Sequence, residues 1–256
     1  MRSVAKFGPI GGSNSHVVNI ADVLRAVNVV HRINAQLTLG VSEFFVKPGE
    51  IVAILGPNGA GKTTFMNILA GGSKAQQGNV WYSGIKTQDL QAHELAARRA
   101  VVRASGEGFA SGLTAREVIE LGALSQNLPR RLINTLTSAY ARALDLDNRL
   151  NAEFGVLSSG EKQRAHFARA LLQVYGREKG YDEPFAHLDA KHAQAVTREL
   201  LTLRKTGVSI VIILHDINYA AHHADRVVFI KKAGIAAEVS AKDVLNKALL
   251  ESIYEP

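Results

Sequence analysis

Two stretches of this chain are apolar without interruption: Ile51-Val52-Ala53-Ile54-Leu55, and Val208–Leu214 broken only by Ser209. Runs of this length, too short for a core helix and free of alternation, predict strands buried on both faces. Val227–Ile230 is a third such run, and Val27–His31 and Leu37–Val46 read as two more strands toward the N-terminus. Between and after them the apolar spacing changes to three and four residues, which predicts helices. These fall over Thr63–Leu69 (closed by Gly71-Gly72), Ala115–Leu121, Arg131–Leu144, Glu161–Val174, Ala190–Lys205 and Ala241–Ile253. The stretch Leu95–Arg99, rich in Ala and Arg, belongs to the same helical middle, and Pro129 separates two of its helices. A strand is expected at Ala100-Val101-Val102. Strands alternating with helices imply an α/β fold with a largely parallel sheet. The helical middle, about residues 92–155, is inserted as a subdomain. Residues 1–21, rich in Gly, Ser and Asn, read as a loosely ordered extension, leaving 22–253 as one domain.

Composition narrows the chemistry. The chain of 256 residues is 46% hydrophobic and holds no cysteine, which excludes disulfides, thiolate metal sites and cysteine catalysis. The net charge of +7 suits nucleic acid, an anionic membrane face or a phosphorylated ligand, and equally a plain solvated surface. The N-terminus has no apolar stretch of signal-peptide length, and no run is long enough to span a bilayer, so a cytoplasmic location is expected.

The chemistry is concentrated after the first buried strand. Gly56-Pro57-Asn58-Gly59-Ala60-Gly61-Lys62-Thr63-Thr64 fits G-x-x-x-x-G-K-[ST] at every fixed position. It also follows an apolar strand and opens a helix, as a phosphate-binding loop requires. The glycines let backbone N–H groups turn inward around phosphates, and the helix adds its positive end. Lys62 carries a compact charge for the β- and γ-phosphates, and the Thr63 hydroxyl suits Mg²⁺. A nucleoside triphosphate is therefore the expected ligand.

Leu157-Ser158-Ser159-Gly160-Glu161-Lys162-Gln163-Arg164 resembles the signature motif of the ATP-binding cassette (ABC) ATPases. With the loop, Asp182-Glu183-Pro184, Leu188-Asp189 and Leu214-His215-Asp216, it completes the order of motifs of that family, over about residues 22–253. The resemblance implies a P-loop NTPase fold of the ABC type, with an N-terminal antiparallel β part and ATP and Mg²⁺ as ligands. It implies Asp182 and Thr63 beside the metal, Glu183 as general base and His215 as the switch histidine at the γ-phosphate. Ser158 and Gly160 would cap the ATP held by a second copy in a head-to-tail dimer, with Asp189 at the seam. His31 falls where the family often places an aromatic against adenine. Such roles fit phosphoryl transfer, which needs charge neutralisation and a positioned water. His222 and His223 read as solvated, without a metal-ligand pattern.

Three positions depart from the family. Ser159 stands for a glycine, predicting a crowded contact or a strained backbone. Charged residues and glycines fill 176–181, where an apolar strand should lead to Asp182, which would displace Asp182 and Glu183 from the metal. Ala104 stands where a glutamine is usual, and Gln126 is too far along to replace it. These departures bear on hydrolysis more than on binding.

A single cassette without membrane spans resembles the separate ATPase subunit of a bacterial importer. It would lie peripherally on the cytoplasmic membrane face, with transmembrane permease subunits and, indirectly, a substrate-binding protein as partners. Nucleic acid is not expected, since neither a second cassette nor a coiled coil is visible. Leu95–Val102, Leu113–Gly122 and His215–Val227 resemble the iron-chelate, haem and vitamin B12 branch, with the haemin importers first. A ferric siderophore or B12 is the alternative cargo. A regulatory or assembly protein that closes on ATP without useful turnover is the alternative of another class.

Overall fold

The computed structural model describes residues 23–102, 112–175 and 193–255. The N-terminal extension, Ala104, the charged segment 177–181, Asp182, Glu183 and Asp189 lie outside the described residues.

The run Ile51–Leu55 is strand β3, and all five of its residues are buried. Its alternation sorts them between two cores. Val52 and Ile54 pack with Phe65, Met66, Ile68 and Leu69 of helix α1 (Lys62–Leu69). Ile51, Ala53 and Leu55 face the other way, into a cluster with Val118, Ile119, Leu144, Phe167 and Leu171. At about 25 cal/mol per Å² of apolar surface removed from water, a strand covered on both faces is among the strongest local contributors to the fold.

The remaining strands are β1 (Leu24–Arg32), β2 (Thr38–Val46), β4 (Gln77–Tyr82), β5 (Ile85–Lys86), β6 (Ile210–Ile213), β7 (Arg226–Lys231) and β8 (Gly234–Ser240). Among the described residues they form one sheet in the order β5-β4-β1-β2-β8-β7-β3-β6. The expected largely parallel sheet is confined to one end: β3 pairs in parallel with β6 and β7, and β2 meets β8 in parallel only at Gly40 and Gly234. The pairs β1–β2, β1–β4, β4–β5 and β7–β8 are antiparallel. Hairpins require antiparallel neighbours, and β4, β5 and β8 are hairpin-connected strands that no apolar run marks.

Helices α2 (Ala92–Ala96), α3 (Ala115–Glu120) and α4 (Arg130–Ala143) occupy the middle of the chain, with a 3₁₀ turn (Leu121–Ser125) between α3 and α4. Helices α5 (Ser159–Val174), α6 (Ala193–Lys205), α7 (Ile217–His223) and α8 (Lys247–Tyr254) follow. Two expectations change here. Ala100–Val102 forms no strand, although Ala100 and Val102 are buried. Arg169 Nη2 donates to the Val101 carbonyl (2.7 Å), and Gln173 Nε2 to those of Ala96 (2.8 Å) and Arg99 (2.9 Å). Side chains of α5 therefore satisfy the backbone there in place of a sheet partner. The closing helix is also split: Ala241–Asp243 is a 3₁₀ turn, and α8 restarts at Lys247 behind the Asn246 cap, whose side chain accepts the Leu249 N–H.

Candidate nucleotide site

Strand β3 ends at Leu55 and α1 begins at Lys62, so the six residues between them must reverse direction in a tight space. Gly56, Gly59 and Gly61 all take positive φ (141°, 77° and 96°). Gly61 is the N-cap of α1 and offers no side chain, and the first turn of α1 holds no acidic residue. The positive end of the helix is thus left open to an anion.

Lys62 points back into the loop. Its Nζ donates to the carbonyls of Gly56 (2.7 Å) and Pro57 (2.8 Å), and the residue is buried. Burial lowers its pKa from the usual lysine value. No carboxylate pairs with it among the described residues. A buried cation held only by carbonyl dipoles, beside an open helix N-terminus, is a site that an incoming polyphosphate stabilises.

The space in front of the loop is a cavity of about 260 Å³, lined by Ile33, Asn58, Gly59, Ala60, Gly61, Lys62, Thr63, Thr64, Ile213 and His215. His215 leaves the end of β6, the strand beside β3, and is exposed. Folding therefore brings the loop, the two threonine hydroxyls and His215 together. Gly56 and Pro57 lie behind the cavity, where they hold Lys62.

His31 does not line this cavity. Its Nδ1 meets the Lys74 carbonyl at 3.1 Å. Ile33 lines it instead, a residue that the sequence reading passed over. The signal was present in Ile33-Asn34-Ala35-Gln36-Leu37. Asn34 Oδ1 accepts the N–H groups of Gln36 and Leu37 (both 2.9 Å), and Ile33 N–H bonds to the Leu37 carbonyl (2.9 Å). An Asx-type turn of this kind places Ile33, not His31, at the point where β1 turns toward the loop.

Ser158 and Gly160 stand apart from the cavity, at the N-terminus of α5. Ser158 is the cap: its Oγ accepts the Glu161 N–H (3.3 Å), and Glu161 Oε2 accepts from Ser158 N (2.9 Å) and Oγ (3.0 Å). Those bonds, with Arg149 Nε at 2.9 Å from Oε1, hold the Glu161 carboxyl down to about 2. Ser159 is the exposed first residue of α5 and is not among the residues with positive φ, so the expected backbone strain is not found. Gln126 Nε2 is engaged by the Leu172 and Gln173 carbonyls at the far end of the same helix.

The chain matches the ABC transporter family over residues 39–176. It is 32% identical over 236 residues to the hemin import ATP-binding protein HmuV of Vibrio anguillarum, covering 90% of each chain. To the protein of the same name from Mesorhizobium japonicum it is 34% identical over 244 residues, 91% of each. Among solved structures, an ATP-binding subunit of an ABC transporter superimposes with a TM-score of 0.77 at 21% identity, covering 91% of this chain and 98% of that one. A dimeric ATP-binding cassette in a post-hydrolysis state, bound to ADP and phosphate, superimposes at 0.73 with 25% identity, covering 85% and 98%.

Proposed function

This chain belongs to the ABC transporter family and is an ATPase of that type, and from that premise we propose that it energises the import of haemin through a membrane permease. The observation that carries the cargo is the 32% and 34% identity, over nine-tenths of the chain, to proteins named for hemin import. The geometry supports the ATP-binding part: a buried, carboxylate-free lysine and an open helix end face one cavity.

In this reading Lys62 exchanges two carbonyl partners for the β- and γ-phosphates, and the N–H groups of Asn58–Thr64 close around the phosphate chain. Thr63, which lines the cavity, and Asp182 are the residues that would hold Mg²⁺, whose charge would offset that building on the phosphate oxygens. Glu183 would accept the proton of the attacking water, and His215 would contact the γ-phosphate from the β6 side. Ile33 would meet the base as an apolar contact. Ser158 and Gly160 would face the ATP of a second copy, with Asp189 at the seam. To donate to that phosphate, the Ser158 hydroxyl must release Glu161. Closure of the two copies would drive permease subunits at the cytoplasmic membrane face, and a substrate-binding protein would deliver the cargo.

Growth on haemin as sole iron source tests the proposal. Deletion should abolish growth, the native chain should restore it, and Lys62→Ala should not. Unchanged growth on haemin, with loss of growth on a ferric siderophore or of B12 uptake, would assign the other cargo.

A further inference from the structure

The turn from β7 into β8 reaches the phosphate loop from behind. Lys231 pairs with Gly234, and the two residues between them, Lys232 and Ala233, both take positive φ (49° and 57°). This conformation suits the twist of a two-residue hairpin and strains any residue but glycine. The bond that closes such a turn joins its first and fourth residues, so it uses neither the N–H nor the C=O of the third. Ala233 is that third residue, and both of its groups are taken by other elements. Its C=O accepts the Gly40 N–H of β2 (2.8 Å), and its N–H donates to the Ala60 carbonyl in the phosphate loop (3.1 Å). Ala60 and Ala233 are both buried, in the cluster that holds Ile54 and Phe65, so this bond forms away from water.

Ala60 is also fixed from inside the loop. Its N–H donates to the Pro57 carbonyl (3.3 Å), which accepts from Lys62 Nζ as well (2.8 Å). The Ala60–Gly61 peptide is trans, so its C=O and its N–H point in opposite directions. With the Ala60 carbonyl drawn back to Ala233, the Gly61 N–H is turned away from that hairpin, and Gly61 lines the cavity. The space behind Gly61 is closed: a Cβ there would stand 3.6 Å from Ala233 and 3.1 Å from Ile33 Cδ1.

We propose that Ala233 is a positioning residue for nucleotide binding: its N–H holds the Ala60–Gly61 peptide in the orientation that presents the Gly61 N–H to the phosphates. Its action runs through Ala60, and it sets the loop before the nucleotide arrives. Loss of one hydrogen bond of this kind corresponds to about a three- to tenfold change in affinity. The proposal rests on the reading that Gly56–Thr64 receives the phosphates.

Proline would remove the N–H but cannot take this φ, so the clean perturbation is replacement of Ala233 by lactic acid in the full-length protein. The ester keeps the methyl and deletes only the donor. A fluorescent ATP analogue reads Kd, and phosphate release against ATP concentration reads KM and kcat. The ester should raise Kd and KM about three- to tenfold and leave kcat at saturating ATP unchanged. Lys232→Gly, which relaxes the same turn at its exposed residue, should bind as the native chain does. The native chain supplies a second measurement. Binding and closure of the bond are linked reciprocally, so the analogue should slow amide hydrogen exchange at Ala233 by the same factor. Native affinity in the ester, a loss matched by Lys232→Gly, a parallel fall in kcat, or Ala233 exchange unchanged on binding would each overturn the proposal. Lys62→Ala separates the underlying reading: if it still binds the analogue, the phosphates lie elsewhere. If it does not, while the ester binds normally, only the positioning role fails.

Discussion

Gly56→Ala is expected to uncouple nucleotide binding from folding, and the structure gives the size of the effect. The new Cβ would stand 2.0 Å from the Ile230 carbonyl oxygen and 3.0 Å from its carbon, against an ordinary contact of 3.4 Å or more. The obstacle is backbone within a paired strand, so β7 cannot yield as a side-chain tip would. The loop must yield, on the order of 1 Å, and it also leaves a φ of 141° that an alanine resists. Lys62 Nζ then loses its 2.7 Å anchor on Gly56, and the inward N–H groups lose their common focus. Displacement of about 1 Å at a site of this kind costs about 100-fold, or about 2.7 kcal/mol. Two other glycines separate the causes. Gly207 has a φ of +91° and nothing within 4 Å of its missing Cβ, so Gly207→Ala should cost about 1–2 kcal/mol of stability and leave affinity alone. Gly40 has neither constraint, so Gly40→Ala should leave both stability and affinity near native. Titration with a fluorescent ATP analogue, beside denaturant unfolding, reads both quantities. Gly56→Ala within threefold of native affinity, or a loss matched by Gly207→Ala, would refute the steric argument.

The ion cluster at the start of β7 bears on stability alone. Arg226 meets Glu50 through Nε (2.7 Å) and Nη2 (3.0 Å), Glu238 through Nη1 (2.7 Å) and the face of Phe45 at 4.8 Å, with only 12% of its side chain exposed. Arg226→Met strands the Glu50 carboxylate and should cost about 3–5 kcal/mol, seen as a fall in the unfolding midpoint. Adding Glu50→Gln should recover part of that loss, and a double variant as unstable as the single one would show that packing, not charge, is at stake. At α5 the Ser158 backbone N–H does most to hold the Glu161 carboxyl low; Ser158→Ala removes only the hydroxyl bond beside it and should move that carboxyl part of the way up from about 2 toward its usual range, read by carboxyl-carbon NMR titration. A depressed carboxyl favours the folded state above its unfolded pKa and loses that contribution as pH falls toward about 2, so the variant should begin to lose this contribution at a higher pH than the native chain.

What the sequence made legible follows from what burial demands. β3 and β6 had to be apolar at every position because both faces are covered, and β3 coincides with its predicted span residue for residue. The strands β4 and β8 left no such mark. Their side chains are mostly half-buried or exposed, and pairing with β1 and β7 is a property of backbone groups common to every residue. β4 also carries Gly78, at positive φ, against the Asn28 carbonyl, where the β1–β4 register shifts between Val27 and Val30. A bulge of this kind breaks the period of two on which strand reading depends.

The site divides along the same line. The loop was legible because its chemistry is local: glycines, Lys62 and Thr63 act within one turn of chain. His215 could be placed beside it because it follows a strand that had to be buried on both faces. Ile33 was missed because its position depends on a side-chain turn at Asn34, and Ala233 because it reaches the loop through a backbone N–H on the Ala60 carbonyl, which leaves no spacing in the sequence. The phosphate loop is therefore two objects in one segment. Its inner surface, which meets phosphate, is written in nine consecutive residues. Its outer surface, which fixes the conformation of those nine, is written at Ile230 and Ala233, more than 170 residues away. A loop sequence that is intact throughout can accordingly bind poorly when a distant residue that shapes it is changed, and substitutions at the turn between β7 and β8 should be scored on affinity before they are dismissed as remote.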